Sequence, residues 1–331
     1  MLITRKHPIT REHREMIHIK SYAKINLSID MGEVLPSGMH PVDMIMQETT
    51  LADDVIINVK EGEDFSIVIK TNSSEIPVGE DNIAYKAAIK MVEKYRELLP
   101  SAAEEKKEKE ICIFIEKRIP VAAGLAGGSG NAAAVIHGLN AIWNLGLSLS
   151  ELCEIGEVLG SDVPFCIMGQ AKKNIFLPDN IIGDELAVSC ARARGTGTEL
   201  TPVEPIHAQV IIAKPNIGVS TGEVYKGMDE LKINSRPNND ALEAALNIHA
   251  YKKAIPEMIN VLENYTLTAY PEVRELKTFM EKNLEGALVV LMSGSGPSVF
   301  ALFDLSDEAG ATQGLKALKD AGYEAHLART F

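Results

Sequence analysis

The segment Pro120-Val-Ala-Ala-Gly-Leu-Ala-Gly-Gly-Ser-Gly-Asn131 constrains this chain more than any other. It stands between an apolar run at 111–115, which reads as a strand, and an apolar stripe at helical spacing: Ala132, Val135, Ile136, Leu139, Ile142 and Trp143. Glycines at a strand-to-helix turn leave backbone N–H groups uncrowded beside a helix N-terminus. Such a turn suits an anion, because free amides and the helix dipole both favour negative charge. The segment lacks the Gly-Lys-Ser/Thr ending of a Walker loop and the glycine spacing of a dinucleotide fold. Taken alone, the same glycines also fit a plain tight turn. A second cluster, Met292-Ser-Gly-Ser-Gly-Pro-Ser298, lies between two predicted strands in the other half of the chain. Two loops of small residues, one per half, can close on one polyanion from opposite sides.

Residues 17–30 alternate along their length: Ile17, Ile19, Ala23, Ile25, Leu27 and Ile29 fall on one parity, broken only by Ser21, and polar residues on the other. The pattern predicts a half-buried strand with Lys24 and Asn26 on the face opposite the core, about 7 Å apart. The turn cluster Pro36-Ser37-Gly38 follows, then short predicted strands at 44–46, 55–59 and 65–69. A helix is expected over 82–99, stopped by Pro100, and then a solvated Ala/Glu/Lys stretch at 101–110. Ser148 and Glu151 form a capping-box pattern for a helix ending near Gly160, which places Asp162 just past a helix terminus. Periodicity weakens over 170–194, expected to link two domains, 1–170 and 171–331. The second half reads as helices at 220–231, 240–249, 255–264, 272–283 and 308–321 among strands at 210–213, 287–291, 298–303 and 324–327. The whole is α+β.

With 331 residues, two cores and a ligand cleft between them are expected. Lys and Arg number 33 against 46 Asp and Glu, a net charge of −13, the wrong sign for binding a nucleic-acid backbone. No apolar run approaches the ~20 residues of a membrane span, and the charged start at 1–14 lacks a signal-peptide core, so the cytoplasm is the expected location. Cys112, Cys153, Cys166 and Cys190 form no C-x-x-C pair and read as reduced, mostly buried thiols. By chemistry alone Lys24, His40 and Asp162 look like ordinary surface or capping residues.

In combination, several ordered segments stand out. Ala23-Lys-Ile-Asn-Leu27, Gly38-Met-His40 with Gln47, Ile119 to Ser129, Leu159-Gly-Ser-Asp-Val-Pro-Phe165, Lys214-Pro215 with Val219-Ser-Thr221, and Met292 to Pro297 resemble the motifs of the GHMP kinase superfamily. The match spans nearly the whole chain. It is most similar to the branch whose acceptor is a cytidine-diphosphate-linked methylerythritol of the non-mevalonate isoprenoid route. The resemblance implies a two-domain GHMP kinase fold with its active site in the cleft. It implies ATP as donor to the 2-hydroxyl, magnesium carried on the nucleotide, and a small cytidine diphosphate compound as acceptor. Oligomeric state stays open.

Residue by residue, the resemblance makes Lys24 and Asp162 catalytic. A carboxylate takes the alcohol proton while an ammonium stabilises the developing alkoxide. Pro120, Ala122, Ala123, Gly124, Leu125 and Ala126 enter the ATP loop, and Gly127, Gly128, Ser129, Gly130 and Asn131 complete it. Asn82 and Lys117 match positions near the adenine. Asn26 matches a substrate contact, His40 a reader of cytosine, and Ser293, Gly294, Ser295 and Gly296 the substrate-side loop. Met39 stands where relatives carry an aromatic that stacks on the base. The stretch leading to Gly195-Thr-Gly197 is about twenty residues longer than the resemblance suggests.

Overall fold

The computed structural model describes residues 15–36, 38–62, 65–100 and 108–331. The start at 1–14, Ser37 of the predicted turn and residues 101–107 of the Ala/Glu/Lys stretch lie outside the described residues, and the end of that stretch, 108–110, is strand rather than a solvated loop. The first sheet holds β1 (Met16–Met31), β2 (Val42–Gly62), β3 (Ser66–Thr71), β4 (Glu108–Glu116), β5 (Cys190–Arg194) and β6 (Glu199–Pro202). β1 pairs antiparallel with nearly all of β2, whose other edge is shared between β5 and β4. Thus the predicted strands at 44–46 and 55–59 are parts of one long strand. β5 and β6 complete this sheet from beyond residue 170, where weak periodicity suggested a linker.

Helices α1 (Ile83–Leu98), α2 (Gly127–Ile142), α3 (Leu149–Glu157) and α4 (Val163–Lys173) cover one face of the sheet. Their core takes in Ile19, Ile57, Met91, Ile113, Val135 and Ile167, each side chain worth roughly 1.5–3 kcal/mol when fully buried. The Ser148–Glu151 capping box of α3 is present as expected. Sequence reading missed α4 because Gly160-Ser-Asp-Val-Pro164 looks like loop. Pro164 falls in the first turn, where its missing N–H costs nothing. α5 (Asp179–Ile182) and its flanks bury Leu177, Ile181 and Ala187 in this same core, away from the cleft.

The second sheet is antiparallel: β7 (Ala208–Lys214), β8 (Val289–Met292), β9 (Val299–Asp304) and β10 (Glu324–Arg329), in the order β10-β7-β9-β8. The helices of this half are α6 (Thr221–Met228), α7 (Asn239–Asn247), α8 (Tyr251–Ala254), α9 (Glu263–Ala269), α10 (Pro271–Asn283) and α11 (Glu308–Asp320). Alternate residues of β7 divide between two cores. Ile211 and Ala213 join Leu276 of α10 and Leu318 of α11, whereas Val210 and Ile212 join Ala23, Ile25 and Leu27 of β1. The predicted helix at 255–264 is instead a short 3-10 turn, Ile255–Glu257, followed by irregular chain before α9. Asn260 diverts it, because its side chain bonds the backbone at Leu262, Met292 and Gly294.

β1 departs from the simple half-buried strand. Ile19 packs beneath the helices, whereas Ala23, Ile25 and Leu27 face the second sheet, and the polar residues from Ser21 to Ser28 are buried as well. Register irregularities between Tyr22 and Lys24 and between Asn26 and Ser28 re-aim the strand. Ser21 and Lys24, of opposite parity, both meet the helical layer.

Candidate active site

Lys24 is almost fully buried, and its Nζ donates to Asn26 Oδ1 at 2.8 Å while lying 3.7 Å from Asp162 Oδ2. Its backbone N donates to Leu125 O at 3.1 Å, tying β1 to the glycine-rich loop. Asn26 Oδ1 also accepts the Gly294 N–H at 3.0 Å, so one amide links the lysine to the second loop. Asp162 occupies the N-cap position of α4, yet its side chain makes no capping bond. The carboxylate, 28% exposed beside a lysine that is 5% exposed, stays available to the cleft.

The two glycine loops touch. Gly124 holds φ +72, and a Cβ there would collide with the Ser293 carbonyl, so both the conformation and the close approach require glycine. Ser293 Oγ donates to Gly124 O at 3.0 Å. Behind the second loop, Asn260 donates to Met292 O and Gly294 O, both at 2.8 Å, and Thr266 Oγ1 donates to Ser295 O at 3.2 Å. Gly296 donates its N–H to Ser293 O within the loop. Gly124 lines two cavities, of about 540 and about 370 Å³, one on each side of this junction.

The smaller cavity is enclosed by Asn82, Lys117 and the loop from Pro120 through Ala122, Ala123, Leu125, Ala126, Gly127 and Gly128 to Ser129 and Asn131. Ala122 and Ala126 are left-handed, at φ +50 and +55. Ala126 precedes α2 without a side-chain cap, so the first-turn amides of a 16-residue helix open onto a small-residue cradle. Asn131 adds a buried Oδ1 with no partner among the described residues. Gly130, in contrast, faces away from the cavity, and a side chain on it would run into Ser21 Oγ of β1. Asn82 and Lys117 line the cavity with their polar groups already held. Asn82 caps α1 through Ala84 N and bonds Pro77 O, and the Lys117 ammonium pairs with buried Asp53 at 2.5 Å. Asp53, which also accepts the Arg118 and Ile119 N–H groups, carried no sequence signal.

The larger cavity gathers Lys24, Asn26, Met39, His40, Asp162, Gly294 and Ser295. Ser293 and Gly296 brace the loop from behind rather than lining it. His40 places Nδ1 3.0 Å from Gly32 O and Nε2 3.2 Å from Asp229 Oδ1. Its ring lies 5.8 Å from the Tyr225 ring, tilted by 34°. Burial, with the Asp162 charge adding to it, pushes the Tyr225 hydroxyl up to about 12. Sequence reading missed Tyr225, Lys226 and Asp229 of α6 and its C-cap; the i, i+4 spacing of Tyr225 and Asp229 is one that any amphipathic helix shows. Thr196 and Thr221, which also line the cavity, lay in segments the sequence singled out without a site role.

Residues 82–170 match the GHMP kinases N terminal domain and residues 234–324 the GHMP kinases C terminal domain. A 4-diphosphocytidyl-2-C-methyl-D-erythritol kinase of Clostridioides difficile (strain 630) is 43% identical over 297 residues, 89% of each chain. Among solved structures, a 4-(cytidine 5'-diphospho)-2C-methyl-D-erythritol kinase superposes with TM-score 0.70 at 27% identity, covering 95% of this chain and 99% of that one. A homoserine kinase from Cytophaga hutchinsonii, at 18% identity and TM-score 0.68, shares the fold over 98% of this chain and 96% of its own. With both halves matched and that first identity sustained over most of both chains, the chain belongs to the GHMP kinases and, among them, to the family of the 4-diphosphocytidyl-2-C-methyl-D-erythritol kinases.

Proposed function

We propose that the chain transfers the γ-phosphoryl group of ATP to the 2-hydroxyl of 4-diphosphocytidyl-2-C-methyl-D-erythritol, a step toward isoprenoid precursors. The observation that carries this reading is the Lys24–Asp162 pair, set 3.7 Å apart where two cavities meet at Gly124. One cavity is a backbone cradle at a helix N-terminus, suited to the nucleotide phosphates. The other is lined by side chains suited to a polar acceptor.

Asp162 takes the proton of the acceptor hydroxyl as its oxygen forms the new bond to the γ-phosphorus and the bond to the bridging oxygen of ADP breaks. Lys24, fixed by Asn26, stabilises the negative charge that gathers between acceptor and phosphoryl group. The partly exposed carboxylate then returns its proton to solvent. The loop amides hold the phosphates, and Lys117 shapes the cradle from its ion pair with Asp53. Magnesium brought with the nucleotide supplies charge neutralisation at the phosphates. Among the described residues no three His, Cys, Asp or Glu side chains cluster so as to hold a metal ion. His40 and Tyr225 offer the cytosine a polar edge and an aromatic face, a role the ring of Tyr225 fills in place of Met39. Among the described residues no helix is long and apolar enough to cross a membrane.

The test is ADP release coupled to the cytidyl methylerythritol acceptor. Turnover on this substrate supports the reading. Turnover only on mevalonate, homoserine or a sugar overturns the acceptor, and nucleotide binding without turnover on any alcohol overturns the activity.

A further inference from the structure

Glu48 lies directly opposite Lys24 in the β1–β2 ladder, so the two side chains leave the same face of the hairpin. Lys24 turns to Asp162 at the start of α4, and Glu48 turns to Gly169, about two turns further along that helix. The Glu48 carboxyl is completely buried, and neither oxygen has a hydrogen-bond partner among the described residues. It packs so closely that a Cβ on Gly169 would overlap the carboxyl carbon and both oxygens. The next residue, Gln170, donates to Gly130 O at 2.7 Å, so the same turn of α4 also grips the start of α2.

Few charged groups face this carboxyl. Tyr22 and Lys24 approach from β1, and Cys166 and Lys173 from α4. The Lys173 ammonium lies over the Phe331 ring, 4.2 Å from its centroid. A buried carboxylate without donors is strongly disfavoured against the neutral acid. Burial accordingly pushes Glu48 well above the usual carboxylate range, against the smaller opposing pull of Lys173.

We propose that Glu48 is a positioning residue: its buried carboxyl, wedged between the β1–β2 hairpin and Gly169, seats α4 and thereby fixes the approach of Asp162 to Lys24. The proposal rests on the roles given above to Lys24 and Asp162. Neutral Glu48 makes α4 a lever, with the wedge at Gly169 and the reacting carboxylate at its N-terminus.

Three variants test it. Gly169→Ala displaces either helix or carboxyl by about 1 Å, and kcat falls ~10²-fold with the KM for ATP little changed. Adding Glu48→Ala makes room for the new methyl and recovers most of that loss. Glu48→Gln keeps the shape without the ionisation, and near pH 6 its kcat stays within about threefold of the parent. Its melting temperature carries the charge readout. A carboxyl with a raised folded-state pKa keeps a proton that the unfolded chain releases, so parent stability falls as pH climbs from the unfolded pKa through the folded one. The advantage of Glu48→Gln over the parent in Tm therefore widens as pH rises above the unfolded glutamate pKa of about 4.3. A Tm difference constant with pH would show that Glu48 is not held neutral. A Gly169→Ala enzyme with parental kcat, or a double variant no better than Gly169→Ala, would show that the wedge does not set the site. A parent enzyme unable to phosphorylate the acceptor would count against the activity itself. The wedge would then be read from Tm, which Gly169→Ala lowers and Glu48→Ala restores, or is refuted by failing to restore.

Discussion

On the loop side of Gly124 the binding surface is backbone. Ala122, Gly124 and Ala126 adopt left-handed conformations, α2 starts uncapped, and two of the polar side chains at hand, Asn82 and Lys117, are tied to the protein. On the other side, side chains from separated stretches converge: Lys24 and Asn26 from β1, His40 before β2, Asp162 before α4, and Tyr225 from α6. A backbone site is specified within a dozen consecutive residues, because small side chains and φ > 0 are local properties. A side-chain site is assembled by the fold. The first tolerates substitution of the tied side chains better than of its small residues, and the second depends on individual functional groups.

The sharpest test of this contrast is at the junction. Asp162→Asn, which keeps shape and removes the base, lowers kcat by ~10³-fold with KM for ATP unchanged. Initial rates that stay within a few-fold of the parent would remove Asp162 from the chemistry. Gly124→Ala attacks the backbone side, forcing a side chain into a left-handed turn against the Ser293 carbonyl. It destabilises the fold by about 2–4 kcal/mol in urea unfolding and damages both cavities together. An alanine variant of parental stability would mean that the two loops can part without cost.

Behind the loop, His137 of α2 is buried with Nε2 donating to Ile167 O at 2.9 Å, and burial pushes its imidazole down to about 4. Because the folded-state pKa is below the unfolded value, its contribution is complete above about pH 6.5 and is lost as pH falls through about 4. The loss reaches about 3 kcal/mol, and a His137→Gln variant shows a correspondingly shallower fall in stability on acidification. Equal acid sensitivity in the two proteins would contradict this account. The smallest effect belongs to the acceptor side. Tyr225→Ala raises the acceptor KM roughly tenfold, within the 1–3 kcal/mol of a base-stacking contact, and leaves the KM for ATP alone. An equal rise in both constants would erase the division between the two cavities.

Much of the fold was legible because its elements announce themselves locally. The capping box at Ser148, the stripe of α2 and the alternation of β1 are all short-range patterns. α4 was hidden by Pro164, and the break before α9 by Asn260, whose partners lie some thirty residues away. The burial of Lys24 and Asn26 was also hidden. Alternation shows that two faces differ, whereas only tertiary packing covers both: the second sheet lies on Ala23, Ile25 and Leu27, and the start of α4 and the two glycine loops close over Lys24 and Asn26.

The sequence by itself determined the glycine-rich cradle, the second loop of small residues and the shared strand face of Lys24 and Asn26, since each depends on neighbours in the chain. Tertiary structure alone decided the 3.7 Å approach of Lys24 to Asp162, the Tyr225–His40 wall and the burial of Glu48 beneath Gly169. The reason is the range of the forces: backbone conformation is fixed within a few residues, while contacts across more than a hundred positions exist only once two sheets and their helices have packed.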